Sequence, residues 1–306
     1  MQTPSRSASF ITGIDHNYFL LAGMLLESLD RHFPAIPVKV MDFGLTDAQQ
    51  AFFRSKGLLL EMPAGLARGD HPYKFKSRMG DFLGPDFGVP VWLDADIIAT
   101  GDGTAQLRAI VDAMAREGQR YAIAPDQGPC VTLADFPRVH NGPHLADAIR
   151  AEPALGACRY LNVGVVFFRA GEALAEWGAL TPSFEGDMCW EQNAFNVLCH
   201  RDPAQVLVLD GRAWNMHGAL LDRVRGERGN IRCEGEPVFF AHAASSDGGH
   251  LTWGEMDFEF DGCPYKNFIK FFTNGALRDM QEEHLSNFLS NNLGLLKETG
   301  VLVRRA

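Results

Sequence analysis

Over its first 245 residues the chain alternates short apolar runs with stretches whose apolar positions recur at helical spacing. Residues 8–13 are apolar and strand-like, and Ala22, Leu26, Leu29 and Phe33 then predict a helix over about 16–33. Residues 36–43 form a second strand candidate, held between Pro34 and Pro37 on one side and Gly44 on the other. Thr46 and Gln49 are placed for a capping box that opens a helix through Lys56. Gly57 stops it, and 58–62 reads as a third strand. A polar, glycine-containing loop leads to a helix over 72–83, an apolar run over 89–98, a helix over 104–116 and a strand over 121–124. This alternation predicts an α/β domain built on a Rossmann-like mixed, largely parallel sheet flanked by helices.

The pattern then changes. Residues 125–158 contain several Pro and Gly and one helical pattern, near 144–150; irregular stretches this long are more often functional than structural. A strong strand follows over 160–169, then helices near 172–180 and 191–199, a strand over 206–209, and a strand over 237–242 that ends in a histidine. The last 45 residues read as helical. Leu277, Met280, Leu285, Phe288 and Leu289 lie on one side, with Glu282, Glu283 and Asn287 opposite. That mixed-charge face suits packing on the domain or in a homodimer better than a membrane surface. The expected division is a main domain over 1–255 and a C-terminal helical extension over 256–306.

Composition narrows the partners. A net charge of −10 argues against a surface for nucleic-acid phosphates or anionic lipid, while leaving room for a local basic pocket. With 46% hydrophobic residues in 306, a sizeable core is available. The six cysteines are scattered and form no CxxC pair, as expected of reduced thiols rather than a disulfide framework or zinc site. The opening residues lack the apolar core of a signal peptide, and no run is long enough to span a bilayer. The expected location is therefore cytoplasmic.

The candidate chemistry centres on VPVWLDADIIAT, residues 89–100. Carboxylates beside a buried strand are costly unless something pairs with them. Asp94 and Asp96, one residue apart at the end of such a strand, are suited to gripping a hard divalent cation. They are also placed to cap the next helix or turn.

Five segments in order, TGIDHNYF, LDAD, LNVGVVFF, EQNAFN and FFAHA, resemble a glycosyltransferase of the GT-A fold. The resemblance is nearest to the retaining family 8 type, covers roughly residues 8–245, and leaves the C-terminal helices unassigned. It implies transfer of a sugar from a nucleoside-diphosphate-sugar, most naturally a UDP-sugar, to an acceptor that the sequence does not name. It also implies a metal, Mn²⁺ or Mg²⁺, held by Asp94, Asp96 and His242, with Ala95 between the carboxylates. Ile14, Asp15, Asn17 and Tyr18 would hold base and ribose; for Asp15 the alternative is a helix cap, and for Tyr18 a place in the core. Lys76 would reach the diphosphate, with Lys74 and Arg78 as solvated neighbours. Asn162 and Gly164 would lie beneath the sugar, and Asp126, Glu191 and Gln192 would position it.

Two departures stand out. Glu191 replaces the family's Asp, and the Lys-Pro-Trp segment that family members carry after the histidine reads HAASSDGGHLTW here, with Trp253 but no lysine. His250 or the Gly248–Gly249 turn is the expected substitute. Two other readings remain: a non-catalytic nucleotide-sugar binder of the same fold, and an aspartyl-nucleophile phosphatase, which also places DxD after a buried strand.

Overall fold

In the computed structural model, residues 8–301 are described, apart from 84–86, 170, 228, 245–248 and 261. The strands are β1 (Ala8–Ile14), β2 (Val38–Asp42), β3 (Leu59–Leu60), β4 (Val89–Leu93), β5 (Ile97–Ala99), β6 (Tyr121–Pro125), β7 (Leu161–Phe168) and β8 (Val206–Val208), followed by β9 (Val224–Glu227), β10 (Asn230–Cys233), β11 (Glu236–Pro237), β12 (Phe240–His242), β13 (Leu251–Phe260) and β14 (Cys263–Phe272). The helices are α1 (Phe19–His32), α2 (Asp47–Ser55), α3 (Pro72–Ser77), α4 (Met79–Phe82), α5 (Thr104–Glu117), α6 (Phe136–Val139), α7 (Pro143–Ala151), α8 (Gly171–Leu180), α9 (Trp190–Arg201), α10 (Gly211–Trp214), α11 (Gly275–Asn291) and α12 (Leu293–Thr299). Seven strands form the central sheet in the order β3-β2-β1-β4-β7-β6-β8. The pairings of β1 with β2 and β4, β2 with β3, and β6 with β8 are parallel; β7 runs antiparallel to both its neighbours. This is the mixed, mostly parallel sheet flanked by helices that the alternating pattern predicts.

The apolar run over 89–98 is not one strand. β4 is buried at every position and ends at Leu93; after a turn at Asp94–Asp96 the chain re-emerges as β5, which leaves the central sheet and pairs antiparallel with β12. Two carboxylates interrupt the run, and a sheet interior has no partner for them. The chain changes sheets there, and both side chains reach a cleft.

Two further expectations need correction. The expected helix over 72–83 breaks at Arg78 into α3 and α4. The last 45 residues are not all helical: β13 and β14 form a ten-by-ten-residue antiparallel hairpin that crosses the expected boundary at 255/256, and helix begins only at Gly275. The second half of β14 is buried on both faces, Ile269 and Phe271 on one and Lys270 and Phe272 on the other. The helical extension then packs back on the domain. Its Phe288 ring lies against Phe19 and Phe52 and occupies the space over Gly23 in mid-helix α1, where a Cβ would come within 2.5 Å of it. Arg31 to Glu283, at 2.8 Å, ties the same two helices at the surface.

Candidate metal and nucleotide site

The cleft, about 410 Å³, lies where β1, β4 and β12 end and β7 begins, between α3, α9 and the β13–β14 hairpin. That volume is within the range of small-molecule sites. Asp94 is fixed from two directions: Lys76 Nζ and Trp92 Nε1 each donate to its Oδ1 at 2.7 Å. Asp96 is held through the other side of the site, with Lys270 Nζ donating to its Oδ2 at 2.5 Å. Each carboxylate thus spends one oxygen on a buried ammonium and turns the other inward. Asp94 Oδ2 lies 3.8 Å and Asp96 Oδ1 3.3 Å from His242 Nε2.

The histidine arrives by register. β12 lies antiparallel to β5 with His242 opposite Ile97, and the backbone N–H of Ala243 donates to the Asp96 carbonyl at 2.9 Å. The inward-turned atoms of Asp94, Asp96 and His242 all fall within 4.8 Å of one another. Two carboxylate oxygens and an imidazole nitrogen form a donor set that suits a borderline divalent ion such as Mn²⁺.

Charge in the site is strongly coupled. Burial works against the Asp96 charge, but Lys270 and His242 outweigh it and hold the carboxyl well below the usual range. Burial likewise opposes the Lys270 ammonium, and Asp96 with Tyr18 overcomes it, raising the lysine to about 12. For Lys76, Asp94 and Glu191 more than offset complete burial, so it too is pushed up. Both lysines are therefore charged at neutral pH, at the edge of a cleft with a net acidic floor.

Residues 191–196 open α9 and fasten it to β7. Asn196 exchanges hydrogen bonds with both the N–H and the C=O of Leu161, and Gln192 Oε1 accepts from the Val163 N–H at 3.0 Å. These amides serve backbone groups at the β6–β7 register shift, and they leave the Gln192 side chain at the cleft wall. Glu191 is buried beside it, with Oε1 3.7 Å from Lys76 Nζ and Oε2 without a hydrogen-bond partner among the described residues. Burial, reduced by Lys76 and reinforced by Asp94, pushes its carboxyl up to about 7.

A pH dependence follows. An acid whose native pKa is raised loses folding stability as pH climbs from its unfolded value through the native one. A rise from 4.5 to about 7 corresponds to roughly 3 kcal/mol of penalty above neutrality. Metal-free Glu191→Gln is therefore expected to resist urea better than the unmodified protein at pH 8 and to show no advantage at pH 5. An equal difference at both values would remove Glu191 as the titrating group.

The structure gathers Ile14, Asp15, Tyr18, Lys76, Asp94, Ala95, Asp96, Asp126, Asn162, Glu191, Gln192 and His242 around one cleft. Asn17 and Gly164 are not on its wall. Asn17 is exposed and donates to Asp15, whose Oδ1 also accepts from the backbone N–H groups of Asn17 and Tyr18, so Asp15 does cap the turn while facing the cleft. Gly164 lies behind His242. Of the expected substitutes for the late lysine, His250 lies 3.7 Å from Asp222 and is not on the cleft wall, and Gly248 is outside the described residues. A lysine that no sequence motif marks, Lys270, does line the cleft. Its signal is a lysine inside the apolar run over 268–272, and that signal is lost when the run is read as part of a helix.

No family model and no curated protein sequence matches the chain. Solved structures do. Against the glycosyltransferase GlyE of Streptococcus pneumoniae the TM-score is 0.53 at 16% identity, covering 98% of this chain and 65% of that one. The fold is GT-A-like. Mouse xyloside xylosyltransferase 1 aligns with a TM-score of 0.49 at 14% identity over 77% of this chain and 97% of its own. The bifunctional glycosyltransferase WbbM gives 0.46 at 11% identity over 70% of this chain, which spans 40% of WbbM. Among the described residues no helix is long and apolar enough to cross a membrane.

Proposed function

We propose that the protein is a metal-dependent glycosyltransferase of the retaining family 8 type, using a nucleoside-diphosphate-sugar, most naturally a UDP-sugar. The observation that carries this reading is the convergence of Asp94 Oδ2, Asp96 Oδ1 and His242 Nε2 while Lys76 and Lys270 occupy the outer carboxylate oxygens. A metal bound there would neutralise charge developing on the departing diphosphate. Lys76 and Lys270 flank that position and supply two further fixed positive charges for the same leaving group. Tyr18, Asp15 and Ile14 line the end of the cleft suited to the base and ribose. Asp126, Glu191 and Gln192 line the same cleft and would hold the sugar.

Asp126 is pre-set for that role. Its Oδ1 accepts from Asn162 Nδ2 at 2.8 Å and its Oδ2 from the Gly128 N–H at 2.9 Å, so it is oriented before any ligand arrives. The aspartyl-nucleophile alternative is weakened by Asp94, whose Oδ1 is already engaged by both Lys76 and Trp92.

A thermal-shift panel of UDP-, GDP-, ADP- and dTDP-sugars tests the proposal. One nucleotide is expected to raise the melting temperature only when Mn²⁺ is present. A metal-independent shift, or none with any of the four, would contradict it. Release of the nucleoside diphosphate from the selected donor, followed by NMR, then separates a transferase from a non-catalytic binder.

A further inference from the structure

Behind the metal-ligand atoms runs a chain of buried amides with a direction that can be read from its origin. The Gly164 backbone N–H, which can only donate, donates to Asn162 Oδ1 at 2.8 Å. That fixes the Asn162 amide, and its Nδ2 donates to Asp126. Asn215, fully buried, approaches the same Asn162 oxygen at 2.8 Å, so its Nδ2 must face it and its Oδ1 must face away. That Oδ1 lies 2.9 Å from His242 Nδ1. An amide oxygen only accepts, so Nδ1 carries the proton. Whenever the ring is neutral, Nε2 is thus the nitrogen without a proton, and it is the one that faces Asp94 and Asp96.

Two further observations belong to the same device. Residues 216 and 242 are tied by backbone bonds, Met216 N–H to Phe240 O at 3.1 Å and His242 N–H to Met216 O at 3.0 Å, so Asn215 is carried alongside β12. The imidazole also rests directly on Gly164: a Cβ there would lie 2.5 Å from its Cε1 and 2.6 Å from its Nδ1. Only glycine leaves room for the ring in this position.

We infer that Gly164, Asn162 and Asn215 are positioning residues that fix both the place and the tautomer of His242, so that Nε2 is the metal-binding nitrogen. The inference rests on the proposed metal site and goes beyond it. It gives Asn162 a task other than contact with a sugar, since its oxygen is fully used by Gly164 and Asn215, and it assigns a role to Asn215, which no sequence motif marks. Supporting groups of this kind typically change metal affinity by roughly ten- to hundredfold when removed.

The test is calorimetric titration of Mn²⁺ alone, without nucleotide, into the unmodified protein, Asn215→Ala and Asn215→Asp, with the melting temperature of each metal-free protein measured alongside. Asn215→Ala removes the acceptor for Nδ1–H and is expected to weaken Mn²⁺ by about tenfold or more. Asn215→Asp keeps an acceptor and is expected to bind Mn²⁺ more tightly than the alanine variant. Its buried carboxylate nevertheless makes the metal-free protein no more stable than that variant. A purely structural asparagine would give affinities that follow the melting temperatures, and that ordering would overturn the inference, as would an alanine variant that binds like the unmodified protein. If Asn215→Ala does not fold, Asn215→Ser, whose hydroxyl stops short of Nδ1, replaces it with the same expectation. Failure of the unmodified protein to bind Mn²⁺ would defeat the metal site itself, a distinguishable result.

Discussion

Asp96→Asn is expected to abolish Mn²⁺ binding and, with it, Mn²⁺-dependent binding of a nucleoside diphosphate. The substitution removes an inward-turned oxygen 3.3 Å from His242 Nε2 and the charge that faces the ion. Losing a ligand atom should exceed the roughly ten- to hundredfold cost of losing a supporting group. Asp96→Asn also strips Lys270 of its carboxylate partner, so the variant loses stability as well as affinity. Asp94→Asn separates the two effects, because Lys270 and Asp96 remain paired in it and Lys76 still has Glu191 nearby. Calorimetry on both, with circular dichroism as the check on folding, reads the outcome. Unchanged Mn²⁺ affinity in either would refute the metal assignment.

The second large effect is expected at Lys270. Its side chain is 2% exposed and that of Asp96 9%, so the pair is shielded from solvent. Removing one member of such a pair strands the other charge, at a cost of about 3–5 kcal/mol. Lys270→Met should therefore melt well below the unmodified protein when metal-free. Added Mn²⁺ takes over the compensation of Asp96 and stabilises the native state by mass action. It should accordingly raise the melting temperature of Lys270→Met more than that of the unmodified chain. Equal Mn²⁺ shifts in the two proteins, or a metal-free Lys270→Met that melts normally, would show that the lysine is not the charge partner. His250→Ala, beside the largely exposed Asp222, is the control and should change neither quantity.

Much of this arrangement is legible in the order of residues alone. Apolar runs separated by helical spacing define the α/β sheet, because strand and helix burial impose different periods on the chain. Asp94 and Asp96 announce themselves as charges in an apolar run, and His242 as the polar end of another. The chain reversal that makes them neighbours is a tertiary event: β5 leaves the central sheet and finds β12 far along the chain, and no local pattern encodes that pairing. Lys270 is hidden for a similar reason. The two ten-residue strands of its hairpin merge with the helical pattern after them when the last 45 residues are read as helix, and the Asp261-Gly262 pair in the sequence between them, a hairpin signal, is passed over in that reading. Asn215 is invisible to any pattern because its importance lies wholly in what it touches. Conversely, Asp15 reads as either cap or ligand, and the structure places it so that it caps the first turn with one oxygen while facing the cleft.

The same contrast explains residues 125–158. Their Pro and Gly residues leave one helical pattern, near 144–150, which is α7, and the segment also folds into α6 and a short 3₁₀ turn over Pro153–Ala157. Cys130, Phe136 and His140 from this segment line the cleft beyond Asp126. The loop character in sequence reflects short elements shaped around a cavity rather than an absence of structure.

The central claim is that Asp94, Asp96 and His242 hold a divalent ion through which a nucleoside diphosphate is gripped. Calorimetric titration of UDP into the unmodified protein, first with Mn²⁺ and then with excess chelator, tests it most directly. The account predicts one binding event per chain with Mn²⁺ and its disappearance on chelation. Binding of equal strength in both titrations would contradict it.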